Sequence, residues 1–217
     1  MVNQAILTNA IMARPRQITD EQILATMRAC VLQHGPAVSL DLVAEKLNVT
    51  SPALIKRFGT RRALMIAALK PSDDNAWTRI LAKGPDARPL LAQLEEVVGA
   101  FLEAFHEAMP CMHALRESGI PMNEIFDRRE DPPPVRAIRQ LAKWLGDAHA
   151  LGVVRDDGDH ETAATALVGA VSTRTFTAHL TQTPWSAREQ REYGRQLAEL
   201  FTRALSPVSR TPSRTLQ

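Results

Sequence analysis

An all-α fold is predicted by three features of this sequence. Apolar residues recur three and four positions apart through most of the chain, capping and breaking residues bracket those runs, and the runs fall into two groups of different length. Short runs fill residues 18–70 and long ones residues 71–205, with an arm at 1–17 and a tail at 206–217 that lack the pattern. The chain has 217 residues, long enough for a small helical unit followed by a larger one.

The arm ends in Arg14, Pro15 and Arg16. It has no charged segment followed by a clean apolar run, so it is not read as a signal peptide. The first helix is expected to start at Thr19, with Gln22 three residues on as a capping box, and to bury Ile23, Met27, Cys30 and Val31. Gly35 and Pro36 should end it.

A second helix follows from Ser39, an N-cap candidate that is also placed on the candidate binding face; Leu40, Val43, Ala44 and Leu47 form its apolar stripe. Asn48 tolerates the left-handed conformation that a tight turn needs. Thr50 or Ser51 caps a third helix with Pro52 in its first turn, where the missing amide costs nothing. Leu54 and Phe58 should face inward, leaving Ser51, Pro52, Ile55, Lys56 and Arg57 outward. Two short helices about a tight turn, the second with a polar and basic outer face, make a helix-turn-helix able to enter a DNA major groove. After Gly59, Thr60 caps a fourth helix beginning with Arg61 and Arg62, and Pro71 interrupts it before a segment at 72–83 containing Trp77.

The stretch from Ile18 to Leu69 resembles the N-terminal DNA-binding domain of the tetracycline-repressor (TetR) family of transcriptional regulators. The resemblance is carried by ILATMRACVLQHG, LDLVAEKLNVTSPALIKRF and FGTRRALMIAAL. It implies an N-terminal three-helix helix-turn-helix domain plus a C-terminal helical ligand-sensing and dimerisation domain. Ile55 stands where the family commonly has a phosphate-contacting tyrosine, and Pro52 where it has a small residue or glycine. Thr50, Ser51, Pro52 and Lys56 are expected at base edges, and Lys56, Arg57 and Arg61 at phosphates.

Charge distribution points the same way. Residues 1–70 hold nine Lys and Arg against four Asp and Glu, a net of +5, within a chain whose net charge is +2. The remaining residues therefore carry −3, and the basic excess sits on the segment that resembles a DNA reader.

From Leu90 the helices lengthen. LLAQLEEVVGAFLEAFHEAM is one helix that Pro110 is expected to stop, and residues 111–134 form a broken middle section ending in a run of three prolines. Residues 135–151 resume as a helix. About 160–180 and 186–205 form two last helices; Ala164, Leu167, Val168, Val171, Thr175 and Ala178 line one face of the first. By the resemblance this pair joins two copies of the chain into a homodimer.

An apolar pocket with a few polar groups is expected among the middle helices, drawn from Trp77, Phe101, Phe105, Met109, Met112, His113, Met122, Phe126, Trp144 and Phe176. His106, Cys111 and His113 lack the spacing of a metal site, and no phosphate loop, HExxH or nucleophile elbow occurs. No cofactor, metal or catalytic residue is therefore expected. The two cysteines fit a reducing compartment, and the longest uncharged apolar window, Thr162–Thr173, is too short to span a membrane. The reading is a cytoplasmic repressor that binds a near-palindromic stretch of double-stranded DNA and is released by a small-molecule effector. Its rival is a helical enzyme or carrier without DNA binding.

Overall fold

The computed structural model describes residues 18–126, 131–155, 159–183 and 185–207. Among them lie ten helices and no strand: α1 (Asp20–His34), α2 (Leu40–Leu47), α3 (Ser51–Phe58), α4 (Arg61–Leu69), α5 (Ala76–Lys83), α6 (Leu90–Glu117), α7 (Met122–Ile125), α8 (Pro133–Ala150), α9 (His160–Leu180) and α10 (Ala187–Leu205). The expected basic arm, with Arg14 and Arg16, lies outside the described residues, as does all of the tail beyond residue 207.

Local signals set the first four helices. Thr19 and Gln22 form a reciprocal capping box on α1, with Asp20 and Glu21 in the first turn where the helix dipole favours negative charge. Ser39, Thr50 and Thr60 each accept an amide from the third residue of the following helix. Asn48 takes φ 53° and ψ 46°; Val49 N donates to Ala44 O at 3.0 Å and Asn48 N to Glu45 O at 3.0 Å, a Schellman closure between α2 and α3. Gly59 holds φ 84°, a conformation that a side chain resists.

Two apolar cores result. One gathers Ile23, Met27, Val43, Leu54, Leu64 and Leu69 from α1 to α4, and completes itself with Cys111, Ala114 and Leu115 of α6 and with Ile120, Ile125 and Phe126. The other packs α5, α6, α8, α9 and α10 around Trp77, Leu94, Phe101, Leu141, Trp144 and Val168. Thus α6 belongs to both, and its last turns close the core of the N-terminal helices. At the other end Gly194 lets α10 approach α6 closely, since a Cβ there would stand 3.1 Å from Leu102 Cδ1.

The structure corrects two expectations. Pro110 does not stop α6, which runs 28 residues to Glu117 and carries Cys111, Met112 and His113 as helical residues. Proline in a helix interior costs roughly 3 kcal/mol. Burying Cys111, Ala114 and Leu115 against α1 and α4 offsets that on the far side, while Leu94, Val97, Val98 and Phe101 hold the near side. The segment after Pro71 becomes helical only from Ala76, because Asn75 accepts the Thr78 amide and forms its own capping box.

A third expectation changes meaning. Ala164, Leu167, Val168, Val171, Thr175 and Ala178 are all buried within one copy of the chain, against α6 and α8. The opposite face of α9 is the open one, with Phe176 at 52% and Leu180 at 67% exposure, and Leu200 of α10 is 53% exposed. Cys30 and Cys111 are free and buried. Among the described residues no helix is long and apolar enough to cross a membrane.

Candidate nucleic-acid interface and interior cavity

The outer face of α3 is built from a short amphipathic sequence. Leu54 is 1% exposed and anchors the helix, contributing about 2 kcal/mol by burial. Pro52, Ala53, Lys56 and Arg57 are exposed, whereas Ser51 and Ile55 are half-buried. Ser51 Oγ donates to Asp41 Oδ1 at 2.5 Å, a link from α3 back to α2.

The cations divide into two kinds. Arg57 Nη1 donates to Ile18 O at 2.6 Å and its Nε pairs with Asp20, so this side chain bridges α3 to the start of α1. Arg61 Nη2 donates to Pro36 O at 2.5 Å and Val38 O at 2.8 Å. Arg61, expected at a phosphate, also has a structural role here: its guanidinium closes the α1–α2 loop, because two carbonyls there lack helical partners. Arg62 pairs with Glu124 of α7 at 2.8 Å. Lys46 and Lys56 are exposed and have no ion-pair partner among the described residues. Lys46, which the sequence reading does not include, is the last-turn base of α2 beside the turn, a place the helical pattern itself marks. Of the other expected contacts, the Ser39 and Thr50 hydroxyls each accept one capping amide.

A cavity of about 340 Å³ lies where α4, α5, α6 and the start of α8 meet. Its wall on α6 straddles Pro110, from Ala104 and Phe105 through Met109 to Cys111 and Met112. Leu69, Lys70 and Pro71 bring the end of α4 to the same space, and Met122, Phe126 and the prolines 132–134 close it. Six of the ten expected residues line it: Trp77, Phe105, Met109, Met112, Met122 and Phe126.

The other four do not. Phe101 sits behind Trp77 and Phe105, with ring centroids 5.3 Å and 6.2 Å away, and Trp144 is 2% exposed in the second core. Phe176 faces outward on α9, and His113 is a surface residue 3.2 Å from Glu117 and packed edge-on against His179 at 5.1 Å. Helical spacing says which residues share a stripe and nothing about which stripe meets a void. Arg28, Ser72, Asn75, Glu107 and Ser172 supply polar groups that the sequence did not single out. Burial pushes the Cys111 thiol above its ordinary range; the charge of Arg28 opposes this and that of Glu107 adds to it. Among the described residues no three His, Cys, Asp or Glu side chains are placed to hold a metal ion.

No family model matches the chain, and no curated protein is significantly similar to it. Solved structures are similar. A TetR transcription regulator from Haloarcula marismortui superposes with a TM-score of 0.64 at 20% identity, over 87% of this chain and 98% of that one. A TetR-like transcriptional regulator from Rhodococcus gives a TM-score of 0.55 at 18% identity, over 86% and 97%. The transcriptional regulator FadR from Bacillus subtilis, solved in complex with stearoyl-CoA, gives 0.59 at 11% identity, over 85% and 98%.

Proposed function

We propose that this chain, which has the fold of the TetR-family transcriptional regulators, is a DNA-binding transcriptional regulator that acts as a homodimeric, effector-released repressor in the cytoplasm. The observation that carries the reading is the closed helix-turn-helix, in which a Schellman turn and the Ser51–Asp41 bond hold α3 with Pro52, Ala53 and Lys56 outward. Lys56, Lys46 and, once its bridge to α1 opens, Arg57 meet phosphates; Ser51 and Pro52 approach base edges of double-stranded DNA.

Two copies pair through the open faces of α9 and α10, where Phe176, Leu180 and Leu200 stand exposed, and so set two α3 helices at the spacing of a near-palindrome. The cavity takes a small-molecule effector. Because its wall includes Leu69 to Pro71, an occupant that favours a different α4 position shifts the spacing and lowers DNA affinity by its differential affinity for the two states. That the B. subtilis regulator of this fold was solved in complex with stearoyl-CoA supports a ligand-responsive reading.

The test is a fluorescence titration of purified protein with a genomic fragment from around its own gene, at two salt concentrations. Sequence-selective binding of two protomers per site is expected, weakening steeply with salt. Binding no tighter than to random DNA, together with no sequence enriched from a random pool, overturns the reading.

A further inference from the structure

The cavity's charged groups are few against an apolar wall. Most of the wall is apolar and flexible: Phe105, Met109, Met112, Met122 and Phe126 line it, and thioether side chains adapt to occupants of varied outline. A guanidinium enters through Arg28 of α1, and Glu107 of α6 is the lining carboxylate among the described residues. Arg28 stands where α1 meets the cavity. Arg28 is also held in place there. Its Nε donates to Ala68 O at 2.7 Å, joining α1 to the last turn of α4, and its two Nη groups have no acceptor among the described residues. A guanidinium already oriented by one bond presents its remaining donors at reduced entropic cost, in the fork that suits a carboxylate.

We infer that the cavity takes an amphipathic monoanion, an apolar chain or ring system ending in a carboxylate, with Arg28 as its anchor. This rests on the reading of the cavity as the effector site and deepens it. The apolar body lies along the methionines and Phe105, and the carboxylate meets the Nη groups of Arg28. The consequence is that α1, not only α4, senses the ligand: the anion adds a second acceptor to the side chain that couples α1 to Ala68. Arg28 is exposed at the rim of the cavity, so its contribution is that of a solvent-screened ion pair, up to ~1 kcal/mol or about fivefold in affinity.

The experiment is isothermal titration of the full chain with octanoate and, separately, with octanol. Octanoate is expected to bind about fivefold more tightly, and to weaken with added salt while octanol does not. Arg28→Gln should bring octanoate down to the octanol affinity and leave octanol unchanged, which shows that the cavity persists; Arg28→Lys should keep most of the preference. If Arg28→Gln does not fold, the salt dependence in the unaltered protein decides. Equal affinities, salt-independent octanoate binding, or tighter binding of octylamine, which would make Glu107 the anchor, each overturn the inference. The DNA titration is independent of these outcomes. A chain that prefers octanoate and binds no DNA loses the regulator reading alone, and one that binds DNA without the preference loses this inference alone.

Discussion

The Ser51 hydroxyl donates a 2.5 Å hydrogen bond to Asp41, tying the first residue of α3 to the first turn of α2. Both partners are polar and solvent-accessible, so the bond adds little to stability; its effect is to fix the approach angle of the helix whose outer face the proposed function places in a groove. Asp41→Ala should cost at most about 1 kcal/mol in denaturant unfolding. The same variant should relax DNA sequence selectivity, measured as the ratio of specific to random-sequence affinity. An unchanged ratio would remove Asp41 from any positioning role.

Arg61 makes a different prediction from the one its sequence position suggests. Arg61→Ala leaves the carbonyls of Pro36 and Val38 without their donor and should destabilise the fold by about 1–3 kcal/mol. Urea unfolding measures this directly. The slope of DNA affinity against salt should stay as it is in the unaltered protein.

Lys56 should behave in the opposite way. Its ammonium is exposed, so Lys56→Ala is expected to leave stability within about 0.5 kcal/mol and to reduce the salt slope by about one counterion. Arg57→Ala should change the slope less, since its charge is shared with Asp20 and Ile18 O. A larger slope change for Arg57 than for Lys56 would reverse this ranking.

The turn at Asn48 is a backbone prediction. With φ 53° and ψ 46°, Asn48→Gly should be neutral or stabilising, whereas Asn48→Val should cost more than about 1 kcal/mol, because a β-branched side chain resists left-handed dihedrals. Thermal unfolding of the pair separates them without any ligand.

Acid should loosen α9 through Asp159. The Thr162 hydroxyl, and then the Thr162 and Glu161 amides, hydrogen-bond its carboxylate and hold its pKa below the usual carboxylate range. A lowered folded pKa means that the group's stabilisation is present at neutral pH and is lost as pH falls from about 4 through the folded value. Asp159→Asn keeps a cap that does not titrate, so its unfolding midpoint should fall less than that of the unaltered chain between about pH 4 and pH 2. Parallel curves for the two proteins would show that other groups carry the acid response.

Much of the fold is local chemistry and was legible as such. Thr19, Ser39, Thr50, Thr60 and Ser186 cap helices because a hydroxyl satisfies an amide three residues away, and Asn48 turns because its own side chain tolerates the dihedral. Such effects act within one turn of chain, so spacing reveals them.

What required the tertiary structure is whatever depends on a partner distant in sequence. Pro110 reads as a helix stop because its local cost is certain; only the burial of Cys111, Ala114 and Leu115 against α1 and α4 carries α6 through it. Arg61 reads as a phosphate ligand from its place at the start of α4; only the fold shows that its Nη2 also donates to the carbonyls of Pro36 and Val38, more than twenty residues away. Phe101 and Phe105 share one stripe, yet only Phe105 faces the void. By itself the sequence determined the all-α class, the caps of the first four helices and the helix-turn-helix. The tertiary structure decided which cations stay exposed, which face of α9 is open and which residues surround the cavity, because burial and charge pairing are set by what another helix brings to the same place.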